Sequence, residues 1–176
     1  MERTVVIYKS KHGSTRQYAE WIGEELDCPV IDSKNFNKKD FDNYDNIIFG
    51  GCVQAGGIQG FELIKKSMKN RLQGKKVVTF AVGLNVMQKE TRMQLREINF
   101  DKWYVEKMTC YYCPGAYKLE EIKGIDAGIM KMMVKMLEGK EPSEVTEDDK
   151  KLLDAVKNGA NYVDKKYIEP IVNEFK

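Results

Sequence analysis

The chain alternates between short, nearly continuous apolar runs and longer segments in which apolar residues recur every three or four positions. The strong apolar runs predict strands that are buried on both faces of a sheet: Thr4–Tyr8, Asp45–Gly51 and Lys76–Val82. Two weaker strands are predicted at Cys28–Ile31, where proline is tolerated at a strand start, and at Trp103–Tyr112. The pattern therefore predicts five strands.

Helical periodicity fills most of the remaining chain. After the first strand, apolar residues return at the spacing of one buried stripe: Tyr18, Ala19, Ile22 and Leu26. Ser14 and Gln17 fit a capping box at the start of this helix. Further helices are predicted over Gln59–Leu72, Gln88–Ile98 and Thr146–Tyr167. Thr146 and Asp149 have the spacing of a cap for the last of them.

Strands that alternate with helices predict an α/β fold with right-handed crossovers and a parallel sheet covered on both faces. In such a sheet, ligands bind beyond the carboxyl ends of the strands, where the strand order reverses. Loops follow strand ends in this way after Tyr8, Gly51 and Val82. We expect these loops to converge at one edge of a single domain, since 176 residues suffice for one substantial core.

Composition and charge remove several classes of function. A net charge of +2 and a pI near 8.2 predict no nucleic-acid binding, which requires a strong basic excess or a basic stripe. The N-terminus lacks a signal-peptide layout, and no apolar stretch reaches the ~18–20 residues that cross a bilayer. The expected location is therefore cytoplasmic, and the four cysteines are expected to be reduced thiols.

The loop between the first strand and the first helix is the most informative segment. Its residues are Ser10, Lys11, His12, Gly13, Ser14 and Thr15. It leads into a helix N-terminus, where backbone N–H groups are unpaired, and its hydroxyls add donors, so it suits a phosphate. It lacks the Gly-Lys-Ser/Thr ending of nucleotide hydrolases, the three glycines of a dinucleotide site, the cysteine of a phosphatase loop and the acidic residues of a receiver domain. A solvated polar turn is the alternative interpretation.

This loop resembles the phosphate loop of the flavodoxins, whose pattern is Ser/Thr-x-Thr-Gly-x-Thr, with His12 in place of the middle threonine. Asp42–Gly51 resembles the third flavodoxin strand, and Val77–Asn85 resembles the fourth strand with its following loop. The resemblance implies a flavodoxin-like three-layer sandwich, with a five-stranded parallel sheet of order 2-1-3-4-5 and helices on both faces. It also implies FMN as the cofactor.

The same resemblance implies which residues hold FMN. The phosphate would be held by Ser10, Lys11, His12, Gly13, Ser14 and Thr15. The ring would be flanked by a loop of Cys52, Val53, Gln54, Ala55, Gly56 and Gly57, and by a loop of Gly83, Leu84, Asn85, Val86 and Met87. Neither loop carries the aromatic side chains that usually sandwich the ring, and the chain lacks the acidic character usual for flavodoxins. Gly56 and Gly57 allow the backbone flip toward the flavin N5 by which the family tunes its redox potential, and a simple tight turn is the alternative.

The carboxyl-terminal third carries a second resemblance. Pro114–Leu119 followed by Ile125–Leu137 resembles the flavodoxin-fold protoporphyrinogen dehydrogenases that pass electrons to menaquinone. One FMN-binding domain over residues 1–176 is expected, with an inserted helical segment at about 114–145 before the last helix. Met130–Leu137 is apolar around most of its circumference, apart from Lys131 and Lys135. Its flexible thioethers suit a protein core, a planar substrate, a lipid surface or a second copy of the chain.

Smaller motifs leave alternatives open. Cys110 and Cys113 have the C-x-x-C spacing of a redox disulfide or half a zinc site, but they fall at a strand end and lack two further ligands nearby in the sequence. Tyr111 or Tyr112 beside the flavin is a further hypothesis, against ordinary packing.

We therefore expect an FMN-binding, flavodoxin-like redox protein that transfers electrons through its bound flavin. The sequence does not distinguish an electron-transfer protein from an FMN-dependent oxidoreductase acting on a porphyrinogen-like or quinol substrate. A flavin-free interaction module of the same fold is a third hypothesis. Because the flavin would carry the chemistry, no catalytic residue and no metal ligand is named. The expected partners are a redox protein or a quinone- or porphyrinogen-like small molecule, with no transmembrane segment; peripheral membrane contact and a homodimer stay open.

Overall fold

Five parallel strands form the centre of the fold in the computed structural model, which describes residues 2–100 and 108–176. The main sheet contains β1 (Thr4–Lys9), β2 (Val30–Asp32), β3 (Asn46–Gln54), β4 (Gly57–Ile58), β5 (Lys76–Gly83) and β6 (Thr109–Pro114). Its order is β2-β1-β3-β5-β6, with these five strands parallel, and β4 adds a sixth, antiparallel strand to β3. Counted among themselves, the parallel strands have the predicted order 2-1-3-4-5, so the predicted fold class is confirmed.

The helices alternate with the strands as far as β6 and then dominate the rest of the chain. They are α1 (Ser14–Leu26), α2 (Glu62–Ser67), α3 (Lys89–Asn99), α4 (Ile125–Glu138), α5 (Glu147–Asn158) and α6 (Glu169–Asn173). Short 3₁₀ turns lie at Lys38–Asn43, Leu119–Glu121, Pro142–Glu144 and Lys165–Ile168. A separate antiparallel pair consists of β7 (Ala116–Tyr117) and β8 (Ala160–Asn161).

Alternate residues of the strands fill two cores, one on each face of the sheet. Ile7 of β1 packs in one core with Leu95 of α3, and both are buried. Val6 packs on the opposite face with Tyr18 of α1 and Ile171 of α6. The result is the expected arrangement of three layers, with the carboxyl ends of β1, β3, β5 and β6 at one edge.

Tyr18 connects α1 to the end of the chain. Its fully buried hydroxyl donates to the carbonyl of Pro114 at 2.7 Å and accepts from the backbone N–H of Asp164 at 3.2 Å. Burial raises the pKa of this phenol. The start of α1 is therefore fixed against both the end of β6 and the segment that precedes α6.

Two predicted element boundaries are wrong near β4 and β6. The helix predicted over Gln59–Leu72 is observed only over Glu62–Ser67, because Gly57–Ile58 pairs with β3 and Gly60 turns with a φ of +78°. The strand predicted over Trp103–Tyr112 begins at Thr109, and its first part, residues 103–107, lies outside the described residues.

The predicted last helix, Thr146–Tyr167, is also wrong, because α5 ends at Asn158 and is followed by β8 and a 3₁₀ turn before α6 begins at Glu169. Its cap is confirmed: Thr146 Oγ1 accepts from the N–H of Asp149, and Asp149 Oδ2 accepts from the N–H of Thr146. However, α5 ends before Gly159, which has a φ of +80° and lies close to the carbonyl of Tyr117 where β8 pairs with β7. The capping box predicted at Ser14 is wrong too, since Gly13 is the N-cap of α1 and no side chain caps it.

Candidate functional site

The three predicted loops converge on one cleft of 270 Å³ at the carboxyl edge of the sheet. Predicted residues that line it are Ser10, Lys11, His12, Ser14, Thr15, Cys52, Val53, Gln54, Ala55, Gly56, Gly83, Leu84 and Asn85. The segment after β6 and helices α3, α4 and α5 complete its wall. The cleft therefore lies where the strand order reverses, as expected for an open parallel sheet.

One end of the cleft is the start of α1. Gly13 adopts a φ of +90°, which a residue with a side chain rarely adopts, and its N–H donates to Ser10 Oγ at 3.2 Å. The first N–H groups of a helix lack intrahelical partners, and α1 has no side-chain cap. This end of the cleft thus presents unpaired donors at the positive end of a helix dipole.

Thr15 adds a donor that has no acceptor within the described protein. Its side chain is 1% exposed, and its Oγ1 has no hydrogen-bond partner. A buried hydroxyl without a partner is costly, so a ligand oxygen is the natural acceptor at this position. The residues at this end of the cleft fit a phosphate.

Ser14, at the start of α1, also contacts the segment after β6. Its Oγ accepts from the N–H of Ala116 at 3.1 Å, which leaves its own hydrogen to donate to an anion. The neighbouring His12 lies 3.5 Å from Glu121, measured between Nδ1 and Oε2. The loop is therefore joined to β7 at Ala116 and to the 3₁₀ turn after β7 at Glu121.

The β3–β4 turn forms one side wall. Gln54 and Gly57 pair across it, and its two central residues, Ala55 and Gly56, have φ values of +48° and +77°. Cys52 lies at the base of this wall, and burial raises the pKa of its thiol against the opposing influence of Lys11. The neutral thiol is therefore the favoured form at this position.

The loop after β5 forms the opposite wall only in part. Gly83, Leu84 and Asn85 line the cleft, whereas Val86 is fully buried and Met87 is exposed. The Arg92 Nε–H donates to the carbonyl of Val86 at 2.9 Å, which holds the end of this loop against α3. Gly13 and Gly57 also do not line the cleft: the first shapes the phosphate loop, and the second belongs to β4.

Part of the lining was not predicted. It comprises Val82, Thr91, Gln94, Leu95, Gly115, Ala116, Tyr117, Ile122, Ile129, Met130, Met133 and Leu152. Gly115–Tyr117 follows the carboxyl end of β6, so the rule that located the other loops also applies to it. Tyr117 supplies an aromatic side chain to the cleft that the two flanking loops lack.

Helix α4 lies partly over the cleft and partly in solvent. Ile129, Met130 and Met133 are half-buried and line the cleft, while Met132 is 69% and Met136 65% exposed. The apolar side chains expected around this helix thus lie partly in the cleft and partly at the protein surface.

The two cysteines of the C-x-x-C sequence point to opposite faces of the sheet. Cys110 packs with the α3 core and Cys113 with the α1 and α6 core, and burial raises the pKa of each thiol to about 12. Tyr111 donates to Glu174 at 2.8 Å, and neither it nor Tyr112 lines the cleft. This geometry is incompatible with a disulfide between the two cysteines or with a shared metal. Over residues 2–100 and 108–176, no cluster of three His, Cys, Asp or Glu side chains forms a metal site.

None of the helices in the described part of the chain has both the length and the apolar character needed to span a membrane.

Comparison with known proteins gives consistent results. The family model for the flavodoxin domain matches residues 5–144. A protein named protoporphyrinogen IX dehydrogenase (quinone), from Escherichia coli strain K12, is 20% identical over 147 residues, which are 78% of this chain and 81% of that protein.

Among solved structures, a flavodoxin, WrbA-like protein from Agrobacterium tumefaciens superposes with a TM-score of 0.51 and 18% identity, over 69% of this chain and 88% of that one. Oxidised Flavodoxin 1 from Bacillus cereus gives a TM-score of 0.48 and 15% identity, over 79% and 99% of the two chains. At these identities, the first superposition supports the fold alone.

Proposed function

The chain belongs to the flavodoxin domain family, and from this premise we propose that it binds FMN in the cleft and transfers electrons through the bound flavin. The observation that carries the proposal is the buried, unpartnered hydroxyl of Thr15 beside the uncapped start of α1. A dianionic phosphate would satisfy both this hydroxyl and the first N–H groups of the helix. The bound flavin would supply the redox chemistry, since the cofactor carries this kind of reaction.

The chain's own residues would bind and orient the cofactor. The hydroxyls of Ser10, Ser14 and Thr15 would donate to the phosphate, with Lys11 adding positive charge and His12 lying in the same loop. The β3–β4 turn and the loop after β5 would flank the ring, and Tyr117 would contribute an aromatic surface from β7. No acid or base is required from these walls.

A Thr15→Val substitution tests the proposal because it removes one donor and keeps the side-chain shape. Hydrogen bonds to charged groups contribute about 1.5–3 kcal/mol, so the affinity for FMN should fall roughly 10- to 150-fold. Binding of riboflavin, which lacks the phosphate, should not change. Calorimetry of wild type and variant with both ligands measures each quantity.

Thr79→Val is the matched control. Thr79 is also fully buried with an unpartnered Oγ1, but it lies within β5 and does not line the cleft. It should leave both affinities unchanged. Absence of FMN uptake by the wild type would favour a flavin-free interaction module, and an equal loss for FMN and riboflavin in Thr15→Val would overturn the phosphate assignment.

A second candidate is an FMN-dependent protoporphyrinogen or quinone oxidoreductase. Two observations favour it: the relative of that name in Escherichia coli, and the methionines of α4 that line the cleft and suit an irregular apolar molecule. Porphyrin formation from a porphyrinogen by the FMN-loaded protein, measured by fluorescence with and without a quinone, tests it. Turnover only with the quinone supports the enzyme, and its absence favours a carrier that reacts with a redox partner protein. The cytoplasmic location, peripheral membrane contact and a homodimer stay predictions.

A further inference from the structure

Asn99 is a buried asparagine whose side chain is fully used in hydrogen bonds to the backbone. It is the last residue of α3 and is 7% exposed. Its Nδ2 donates to the carbonyl of Gly56 at 2.9 Å and to that of Leu95 at 2.8 Å, and its Oδ1 accepts from the N–H of Ile58 at 2.8 Å. The amide orientation is settled by these partners, since two carbonyls require the nitrogen and one N–H requires the oxygen.

Two of these bonds attach Gly56 and Ile58, in and after the β3–β4 turn, to the end of α3. Ala55 and Gly56 both have positive φ values, and a non-glycine residue persists in that region only where its surroundings over-determine it. Ile98 reinforces the same contact, because a Cβ added to Gly56 would lie 2.9 Å from its Cδ1. The last two residues of α3 thus hold a turn that lines the cleft, although neither lines the cleft itself.

Resting on the proposed function, we infer that Asn99 is a positioning residue that restrains the Gly56 peptide and thereby sets the redox potential of the bound flavin. A bound flavin reduced by a chemical reductant, with a proton taken from water, would carry an N–H donor that its oxidised form lacks. A backbone carbonyl that can turn to accept from this donor favours reduction. Here the Gly56 carbonyl already accepts from Asn99, so any such rotation must first break that bond.

The expected effect follows from the modest net strength of one hydrogen bond. Releasing Gly56 should favour the first electron by up to about tenfold, which for a one-electron couple is about 59 mV. Asn99→Ala removes all three bonds, and Asn99→Leu removes them with a neutral side chain of similar size. Both variants should raise the first midpoint potential and widen its separation from the second.

The test is a redox titration with dithionite, followed by absorbance, of FMN-loaded wild type, Asn99→Ala and Asn99→Leu. Asn158→Ala is the matched control, because Asn158 is the last residue of α5 and its side-chain amide donates to the exposed Asp154. Its potentials should equal those of the wild type. If Asn99→Ala does not fold, Asn99→Leu carries the same expectation.

Hydrogen exchange of the Ile58 amide in the apoprotein supplies a readout that needs no flavin. Asn99→Ala should lose protection there, while Asn158→Ala should not. Loss of protection with unchanged potentials would overturn the inference and leave Asn99 a structural residue. Failure of the wild type to take up FMN would overturn the proposed function, while the exchange measurement would still report whether Asn99 holds the turn.

Discussion

The two ends of the cleft are built in different ways. The proposed phosphate end comes from six consecutive residues and the first turn of one helix, and its central donor, Thr15, is almost completely buried. The other end comes from α4, which is 110 residues further along the chain and places only half-buried side chains in the cleft. The first end is polar, local and rigid, whereas the second is apolar, long-range and adaptable.

This difference indicates what each end can select. Fixed donors at a helix start discriminate sharply, because an unpaired buried donor penalises any ligand that lacks an acceptor. Flexible thioethers such as those of Met130 and Met133 discriminate weakly, since they conform to many apolar shapes. We therefore expect the chain to be strict toward the phosphate of a ligand and tolerant toward an apolar group that contacts α4.

The largest effect is expected from a substitution of Gly13, in the loop before α1. Gly13→Ala places a side chain at a φ of +90°, so we expect it to destabilise the fold by about 1–2 kcal/mol and to weaken FMN binding at least tenfold. Chemical denaturation and calorimetry measure the two effects.

Gly74→Ala provides the comparison for that substitution. Gly74 has a φ of +79°, close to the +90° of Gly13. A Cβ added at either glycine would meet no atom within 4 Å. Both variants should lose similar stability, but only Gly13→Ala should lose affinity. Equal affinity losses in the two variants would show that general destabilisation, and not the geometry of the phosphate loop, controls binding.

An intermediate effect is expected at the N-terminal cap of α5, the helix that packs against α4. Helix α4 packs against α5, whose cap is Thr146, so Thr146→Ala should cost about 1 kcal/mol. Asp149 accepts from Lys140 at 2.8 Å and from the N–H of Thr146, and these bonds lower its pKa from 3.8 to about 2.

Because that pKa is lowered, the stabilising contribution is complete above about pH 4 and is lost as the pH falls toward 2. Denaturation curves between pH 5 and pH 2 should therefore show a loss for the wild type that is smaller in Asp149→Asn. A parallel loss in both proteins would contradict this role of Asp149.

The smallest expected effects distinguish the two faces of α4. Met132→Ala should change stability by less than about 0.5 kcal/mol, because the side chain is largely in solvent. Met133→Ala removes a half-buried side chain from the cleft wall, so we expect a cost of about 1 kcal/mol. Thermal denaturation of the two variants measures the difference, and the reverse order would show that α4 turns its other face to the protein.

The strong strands and the polar loop before α1 were predictable from the sequence because their signals are local, whereas the order of the strands was implied by the family resemblance. Apolar runs such as Thr4–Tyr8 specify buried strands, and the hydroxyl-rich loop before α1 carries its chemistry within six positions. The loops after β3 and β5 were located by the general rule for parallel sheets. Val86 and Met87 show the limit of that rule, since strand ends do not determine how far along a loop the cleft lining extends.

The far end of the cleft was not predictable because it depends on contacts between distant residues. Continuous helical periodicity runs through Gly159, yet the pairing of β7 with β8 across more than 40 residues divides the predicted helix there. Asn99 was missed for a similar reason: an asparagine at a helix end resembles an ordinary terminus, and its partners Gly56 and Ile58 lie about 40 positions away.

The Ser14 hydroxyl connects the proposed anion-binding start of α1 to β7. Its oxygen accepts a hydrogen bond from the Ala116 N–H, and its O–H would donate a hydrogen bond to an anion in the cleft. Hydrogen bonds in such a chain polarise and strengthen one another. Ligand uptake at the start of α1 would thus strengthen the hydrogen bond by which the Ser14 oxygen holds β7.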